Sequence, residues 1–299
     1  MDDLSLDVGG PVHIVDHGGH GAPMLLVHGL GGSLLDWRDV AEPLTRRHHV
    51  WSLDLVGFGR TPLAGRSATI TQNQEVVDRV VEHIANGRGV VLVGNSMGGL
   101  IAIVEASRQP QRIAALVLVD PALPRVRYSR PSVVIVAFLV MAAPVVGPWL
   151  LRLHSRRRGA ERLVDEVLRL CTVDMSRVSP ATREAEIELT RWRGAQDQAG
   201  RAVVDATRSL VRWLWRRRTL HRHILEVRAP TLLIHGDHDL VVSLAASEAV
   251  ASLRPDWDFR VLADTGHVPQ LEQPDSFVEV VEGWLDTLQP AAPVPTSSR

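Results

Sequence analysis

Lysine is absent from this chain of 299 residues, and all 33 basic side chains are arginine, a bias of the kind a GC-rich genome produces rather than a functional mark. Cysteine occurs once, at Cys171, so no intramolecular disulfide can form and an oxidising compartment is not required. The first residues, Met1-Asp2-Asp3-Leu4-Ser5, lack both the basic region and the long apolar segment of a secretory signal, which makes the cytoplasm the expected location. No internal repeat is evident. What remains is an ordinary globular composition, 45% hydrophobic and 22% charged, enough for one large core or a core with a subdomain. The stretch from Pro290 to Arg299 has the composition of a disordered tail and is assigned no role.

Short apolar runs alternate with helical stretches. Strands are expected at Val12 to Val15, Met24 to Val27, Val50 to Leu53, Val90 to Val93, Ala115 to Val119, Thr231 to His235 and Phe259 to Leu262. Continuous Val, Leu and Ile runs bounded by glycine imply strands buried on both faces, hence an α/β fold with a mainly parallel sheet flanked by helices. Strand signals vanish between Pro124 and Arg228. That stretch offers only helix-like segments, around Ser132 to Ala143, Ala160 to Cys171, Pro180 to Arg193 and Arg201 to Arg218. The expected organisation is therefore a core over residues 1–122, an inserted helical cap over 123–229, the second part of the core over 230–289, and the tail.

One stretch carries chemistry. In "VLVGNSMGGL" an apolar strand runs into Ser96, and a helical pattern starts directly after it. So sharp a bend crowds its flanks, and Gly94 and Gly98 remove the side chains that would collide. This G-x-S-x-G elbow holds a hydroxyl at the tip of a turn, against the positive end of a helix. A nucleophilic serine needs a base, a group that orients the base, and donors for the oxyanion. His267, in "LADTGHVPQLEQPDSF", lies after one strand and before the helix Asp275 to Leu288, where it can reach the edge of the sheet. Asp237 or Asp239, in "TLLIHGDHDLVV", can accept the hydrogen bond from its distal ring nitrogen. The loop His28-Gly29-Leu30-Gly31-Gly32 follows another strand. Its Leu30 N–H and the Met97 N–H after the nucleophile would form a two-donor oxyanion hole.

With "VHGLGGS", "DLVGFGRT", "GNSMGG", "HGDHDLVV" and "GHVPQLEQP", residues 10–122 and 229–288 resemble the α/β-hydrolase superfamily, capped type. The resemblance implies that Asp239 is the catalytic acid, with Asp237 its neighbour and Asp120, after the preceding core strand, a backup position. Haloalkane dehalogenases and epoxide hydrolases of this fold carry aspartate where this chain has Ser96, so neither activity is expected. The implied activity is hydrolysis of a carboxylic ester with a sizeable apolar group through an acyl-enzyme, as in esterases and lipases, with no cofactor. The alternative is a carbon-carbon hydrolase of aromatic ring-fission products. Those enzymes share "GNSMGG", which makes Asn95 a pocket candidate along with Val268, where they tend to carry tryptophan. A ligand sensor built on the same fold is the reading from another class.

The remaining signals have plainer readings. Asp54 reads as a structural turn residue and His28 as a brace for the oxyanion loop. His235, Asp237, His238 and Asp239 are metal-binding residue types, yet their spacing does not suit zinc, and no metal is expected. Val133 to Leu151 is nineteen residues without a charge, broken by Pro144 and Pro148. It reads as a buried cap helix facing a hydrophobic small-molecule substrate, with contact at a lipid interface as the sharper alternative. Leu123 to Ala229 holds 21 arginines against 10 acids, about +11, while the rest holds 12 against 24, about −12. Complementarity between cap and core is the plain account of this split. Attraction of anionic lipid, with Arg156-Arg157-Arg158 and Arg216-Arg217-Arg218 as landing sites, is the other. No nucleic-acid-binding motif accompanies the arginines.

Overall fold

The computed structural model describes residues 2–124, 146–194, 196 and 199–288, with backbone only for 146–158 and 199. The expected helix Ser132 to Ala143, most of the uncharged run Val133 to Leu151 and the tail Pro290 to Arg299 lie outside the described residues. So do the side chains of Trp149 and Arg156 to Arg158.

Eight strands form one sheet: β1 (Asp2–Asp7), β2 (Pro11–Gly18), β3 (Ala22–Val27), β4 (His48–Leu53), β5 (Val90–Asn95), β6 (Ile113–Val119), β7 (Thr231–Gly236) and β8 (Asp258–Leu262). Their order is β1-β2-β4-β3-β5-β6-β7-β8. The β1/β2 and β2/β4 pairs are antiparallel, and every pair from β4 to β8 is parallel. Along β3, Leu25 and Val27 join one hydrophobic cluster while Met24 and Leu26 join the other, so the continuous apolar run reflects burial on both faces. Helices α2 (Ile70–Ala85) and α3 (Met97–Arg108) cover the first face, and α1 (Arg38–Leu44) covers the second. Strand β1 departs from the expected set. It is acidic and exposed along most of its length, the composition of an edge strand, so hydrophobic periodicity does not mark it.

Between β6 and β7 the described residues form helices only: α4 (Val146–Cys171), broken by a kink at Gly159 (φ 71°), α5 (Pro180–Gly194), α6 (Ala199–Trp215) and α7 (Arg217–Glu226), with a single 3-10 turn at Met175–Arg177. The helix expected from Arg201 to Arg218 is in fact two. Arg216, at φ −80° and ψ 53°, leaves helical geometry and lets α7 turn onto α3, where Leu220 and Ile224 enter the core and His223 pairs with Ser107 Oγ at 2.7 Å. This last part of the inserted stretch therefore packs as a core layer. Val164, Leu168, Val178 and Ile187 of the insertion pack on Val268 and Leu271 of the core. Ser179 and Thr182 hydroxyls donate to Asp39 at 3.0 and 2.9 Å. The chain closes with α8 (Leu244–Leu253), the single turn α9 (Pro269–Glu272) and α10 (Pro274–Leu288), whose Phe277 and Val281 pack beside α1.

Candidate active site

Ser96 occupies the turn between β5 and α3 with φ 54° and ψ −115°, a strained backbone for a residue with a side chain, worth about 1–3 kcal/mol. Its surroundings fix that conformation. The Ser96 N–H donates to Val119 O at 2.9 Å, and its carbonyl accepts from Leu100 at 3.2 Å and Ala122 at 2.9 Å. The flanking glycines are required by contact: a Cβ on Gly94 would collide with the Gly98 and Gly99 backbone, and one on Gly98 with the carbonyls of Val27 and His28. Ser96 itself is 8% exposed.

The loop after β3 lies against this turn, since a Cβ on Gly29 would stand 3.2 Å from Ser96 Cβ. Leu30 follows, and Met97 opens α3, where the first N–H groups have no intrahelical acceptor. His28 braces the loop from below. Its Nε2 accepts from the Leu55 N–H at 3.0 Å, so Nδ1 carries the proton and donates to Gly29 O at 2.7 Å. Complete burial lowers its pKa to about 4, which keeps the ring neutral. Asp54 is the second brace. It accepts from the N–H groups of Leu34 and Arg60, both at 2.8 Å, and pairs with His13 Nδ1 at 2.6 Å.

His267 sits between α9 and the turn that follows β8, and its Nδ1 lies 2.7 Å from Asp239 Oδ2. Burial alone would raise the Asp239 carboxyl, but the His267 charge and hydrogen bond outweigh it and hold the pKa below the ordinary value. Val241 and Val242 N–H groups, at 2.6 and 3.0 Å, complete the anion's partners through Oδ1. Asp237 is elsewhere: it accepts from Thr265 N–H at 3.2 Å and pairs with the exposed His238 at 2.6 Å. Asn95 ties the serine turn and the histidine loop together, because its Nδ2 donates to both Val119 O (3.1 Å) and His267 O (3.0 Å). That framework position differs from the pocket-lining place the sequence suggested. Val268 is buried in the cluster of Val164, Leu168 and Ile187, at the junction with the helices inserted between β6 and β7.

Two supporting groups, Glu272 and Glu186, escape sequence reasoning, and a third, Asp120, is expected only as a backup acid. Glu272, 2% exposed, accepts from Gly266 N–H through Oε2 at 2.8 Å and from Val173 and Asp174 through Oε1 at 2.8 and 2.9 Å. It thereby fastens the histidine loop to the end of α4, where Cys171 O also accepts the His267 N–H at 2.6 Å. Glu186 of α5 accepts from Ser33 Oγ at 2.9 Å, a contact between partners 153 residues apart. Burial pushes that carboxyl to about 7. Asp120, after β6, forms a group with His235 and Asp239 whose side chains are buried and whose ligating atoms all lie within 4.8 Å. These are the metal-capable residue types clustered among the described residues. The His235 nitrogens, however, already face Ser247 Oγ at 2.8 Å and Val242 O at 3.2 Å.

A mainly parallel sheet wound in this order, with a strained serine after β5, an aspartate after β7 and a histidine after β8, defines a class, the α/β hydrolases. The chain belongs to that family: residues 22–274 match the profile described as alpha/beta hydrolase fold. The 2-hydroxy-6-oxo-2,4-heptadienoate hydrolase of Pseudomonas putida is 28% identical, over 89% of this chain and 90% of that protein. The (lyso)-N-acylphosphatidylethanolamine lipase of Homo sapiens is 26% identical, over 89% of this chain and 80% of that protein. Among solved structures, a bacterial membrane phospholipase A superposes with a TM-score of 0.71 at 27% identity, covering 96% of this chain and 86% of that one.

Proposed function

We propose that the chain is a serine hydrolase that cleaves carboxylic esters bearing a sizeable apolar group, with Ser96, His267 and Asp239 as its catalytic triad. The observation that carries this reading is the 2.7 Å Asp239–His267 contact, coupled through Asn95 to a strained serine turn. With Nδ1 donating to Asp239, Nε2 is the free base. It takes the Ser96 proton as Oγ attacks the carbonyl, while Leu30 and Met97 N–H groups hold the oxyanion. The histidine then returns the proton to the leaving alcohol, and water activated by the same ring releases the acid from the acyl-enzyme. The described residues of the insertion act as a cap over this edge. The preference for apolar groups rests on the uncharged run of the insertion and on lipases among the relatives.

A carbon-carbon hydrolase is the second reading, favoured by the shared "GNSMGG" and by the Pseudomonas putida relative. Steady-state turnover on p-nitrophenyl esters from acetate to palmitate, with Ser96→Ala as control, separates the two. Saturable turnover with a chain-length optimum, lost in the variant, supports the esterase. No turnover from a folded protein would overturn it and direct the assay to ring-fission dienones, then to ligand-dependent partner binding.

We also propose peripheral contact with anionic lipid through the cap. Arg216, Arg217 and Arg218 are exposed beside Trp215, itself 76% exposed, a pairing of charge and amphipathic ring suited to a membrane surface. Among the described residues no helix is long and apolar enough to cross a membrane. The single cysteine keeps a cytoplasmic site in the proposal, and cell fractionation tests it.

A further inference from the structure

Behind the Asp239–His267 pair lies a second carboxyl that the mechanism does not use. Asp120 is completely buried at the end of β6, with φ 42°, and its Oδ1 accepts the Gly236 N–H at 2.9 Å. Its Oδ2 is buried with no partner among the ordinary donors. Asp239 differs. All three of its close partners are donors: the Val241 and Val242 N–H groups and His267 Nδ1.

The group between them does not supply a charge. His235 Nε2 faces Val242 O, which only accepts, so that nitrogen carries the proton and Nδ1 accepts from Ser247. Burial lowers the His235 pKa below its ordinary value and so favours the neutral ring, which lies 3.6 Å from an oxygen of each aspartate. The other titratable groups facing the pair are His267 beside Asp239, Glu272, which Arg177 approaches at 3.7 Å, and the Cys171 thiol. Two ionised carboxyls this close and this deeply buried repel, so one holds a proton. Asp239 has three donors to satisfy an anion. Asp120 has one, and its Oδ2 lacks any other role.

We propose that Asp120 is a neutral carboxylic acid whose Oδ2–H donates to Asp239, making it a positioning residue that holds the orienting aspartate as an anion. Burial first, and the Asp239 charge second, push the Asp120 carboxyl well above the ordinary range, in keeping with this assignment. The inference rests on the reading of Asp239 and His267 as catalytic partners, yet its test needs no substrate.

The test follows the His267 Cε1–H titration and the low-field Nδ1–H resonance by NMR, both identified by their loss in His267→Ala. Two variants suit the left-handed backbone at position 120, since asparagine and glycine tolerate positive φ. Asp120→Asn keeps a neutral donor, so the His267 titration and the low-field resonance stay as in wild type. Asp120→Gly removes the donor, makes Asp239 more basic, and raises the His267 pKa by about one unit. On whichever substrate is found, Asn keeps kcat/KM within about threefold, while Gly lowers kcat about tenfold with KM little changed. A fall in the His267 pKa in Asp120→Asn would mean that wild-type Asp120 is ionised, and the proposal is overturned. It is equally overturned when both variants titrate as wild type. If Asp120→Gly does not fold, the Asn arm decides. Absence of ester turnover in wild type would refute the esterase reading and leave these titrations standing.

Discussion

At the residue scale, single polar groups decide the geometry of the site, and His28 shows how. It donates from one nitrogen and accepts at the other, so its neutral tautomer is built into the loop that holds Leu30. Its folded-state pKa of about 4 lies below the unfolded value of 6.5. The unfolded chain therefore binds the extra proton in that window, and the stabilising contribution is full above 6.5 and lost as pH falls toward 4. Unfolding free energy should drop by about 2 kcal/mol from this group between pH 7 and pH 5. Urea midpoints across that range check it, and His28→Gln should flatten the slope. At Gly98 the constraint is steric. Gly98→Ala drives a methyl into two backbone carbonyls that cannot move without shifting β3, so the variant should lose activity and melt several degrees lower by calorimetry.

At the scale of elements, the decisive joint is between α4, α9 and the histidine loop. Glu272 accepts three backbone N–H groups there, from Gly266, Val173 and Asp174. Glu272→Ala leaves buried donors unsatisfied and should cost about 3 kcal/mol of stability, with a larger proportional loss of turnover than of substrate binding. Glu272→Gln, which keeps one acceptor oxygen, should lose less, and denaturation with steady-state kinetics on both variants measures the difference. The elements themselves were largely legible. Strands β3, β5, β6 and β7 are apolar on both faces, so their sequence runs announce them. Strand β1 was hidden because an exposed edge requires no hydrophobic pattern. The division of the expected Arg201 to Arg218 helix was hidden for another reason. No glycine or proline stands at Arg216, and the turn is set by what α7 buries against α3.

At the scale of the whole molecule, the charge split between insertion and core takes on a different meaning. Arg177 reaches the core acids Asp264 and Glu272, but Arg183, Arg191, Arg201 and Arg222 pair with acids of the insertion itself. Hydroxyl contacts such as Ser179 with Asp39 join the two parts as much as ion pairs do. Among the described residues Arg162, Arg169, Arg212, Arg216, Arg217, Arg218 and Arg228 are also exposed, and cosedimentation should show binding to vesicles rich in anionic lipid, weak binding to neutral ones, and release as salt rises. Replacing Arg216, Arg217 and Arg218 together by glutamine should weaken that binding without changing hydrolysis of a soluble ester. Equal binding to neutral vesicles would count against an electrostatic contact.

The sequence by itself determined the apolar strands and most of the helices beside them, the serine turn, and the candidates to act with it. Each of those is written locally, in burial patterns and in the glycines a tight turn demands. The residues alone left Asp237 and Asp239 open and the family resemblance pointed to Asp239; the tertiary structure brings Asp239 onto His267, puts Asn95 in the framework, and gathers Glu272, Glu186 and Asp120 around the site. Those contacts join segments separated by many residues, Asp239 to His267 and Ser33 to Glu186 among them. A hydrogen bond depends on distance and direction in space, and no local pattern in the chain encodes either.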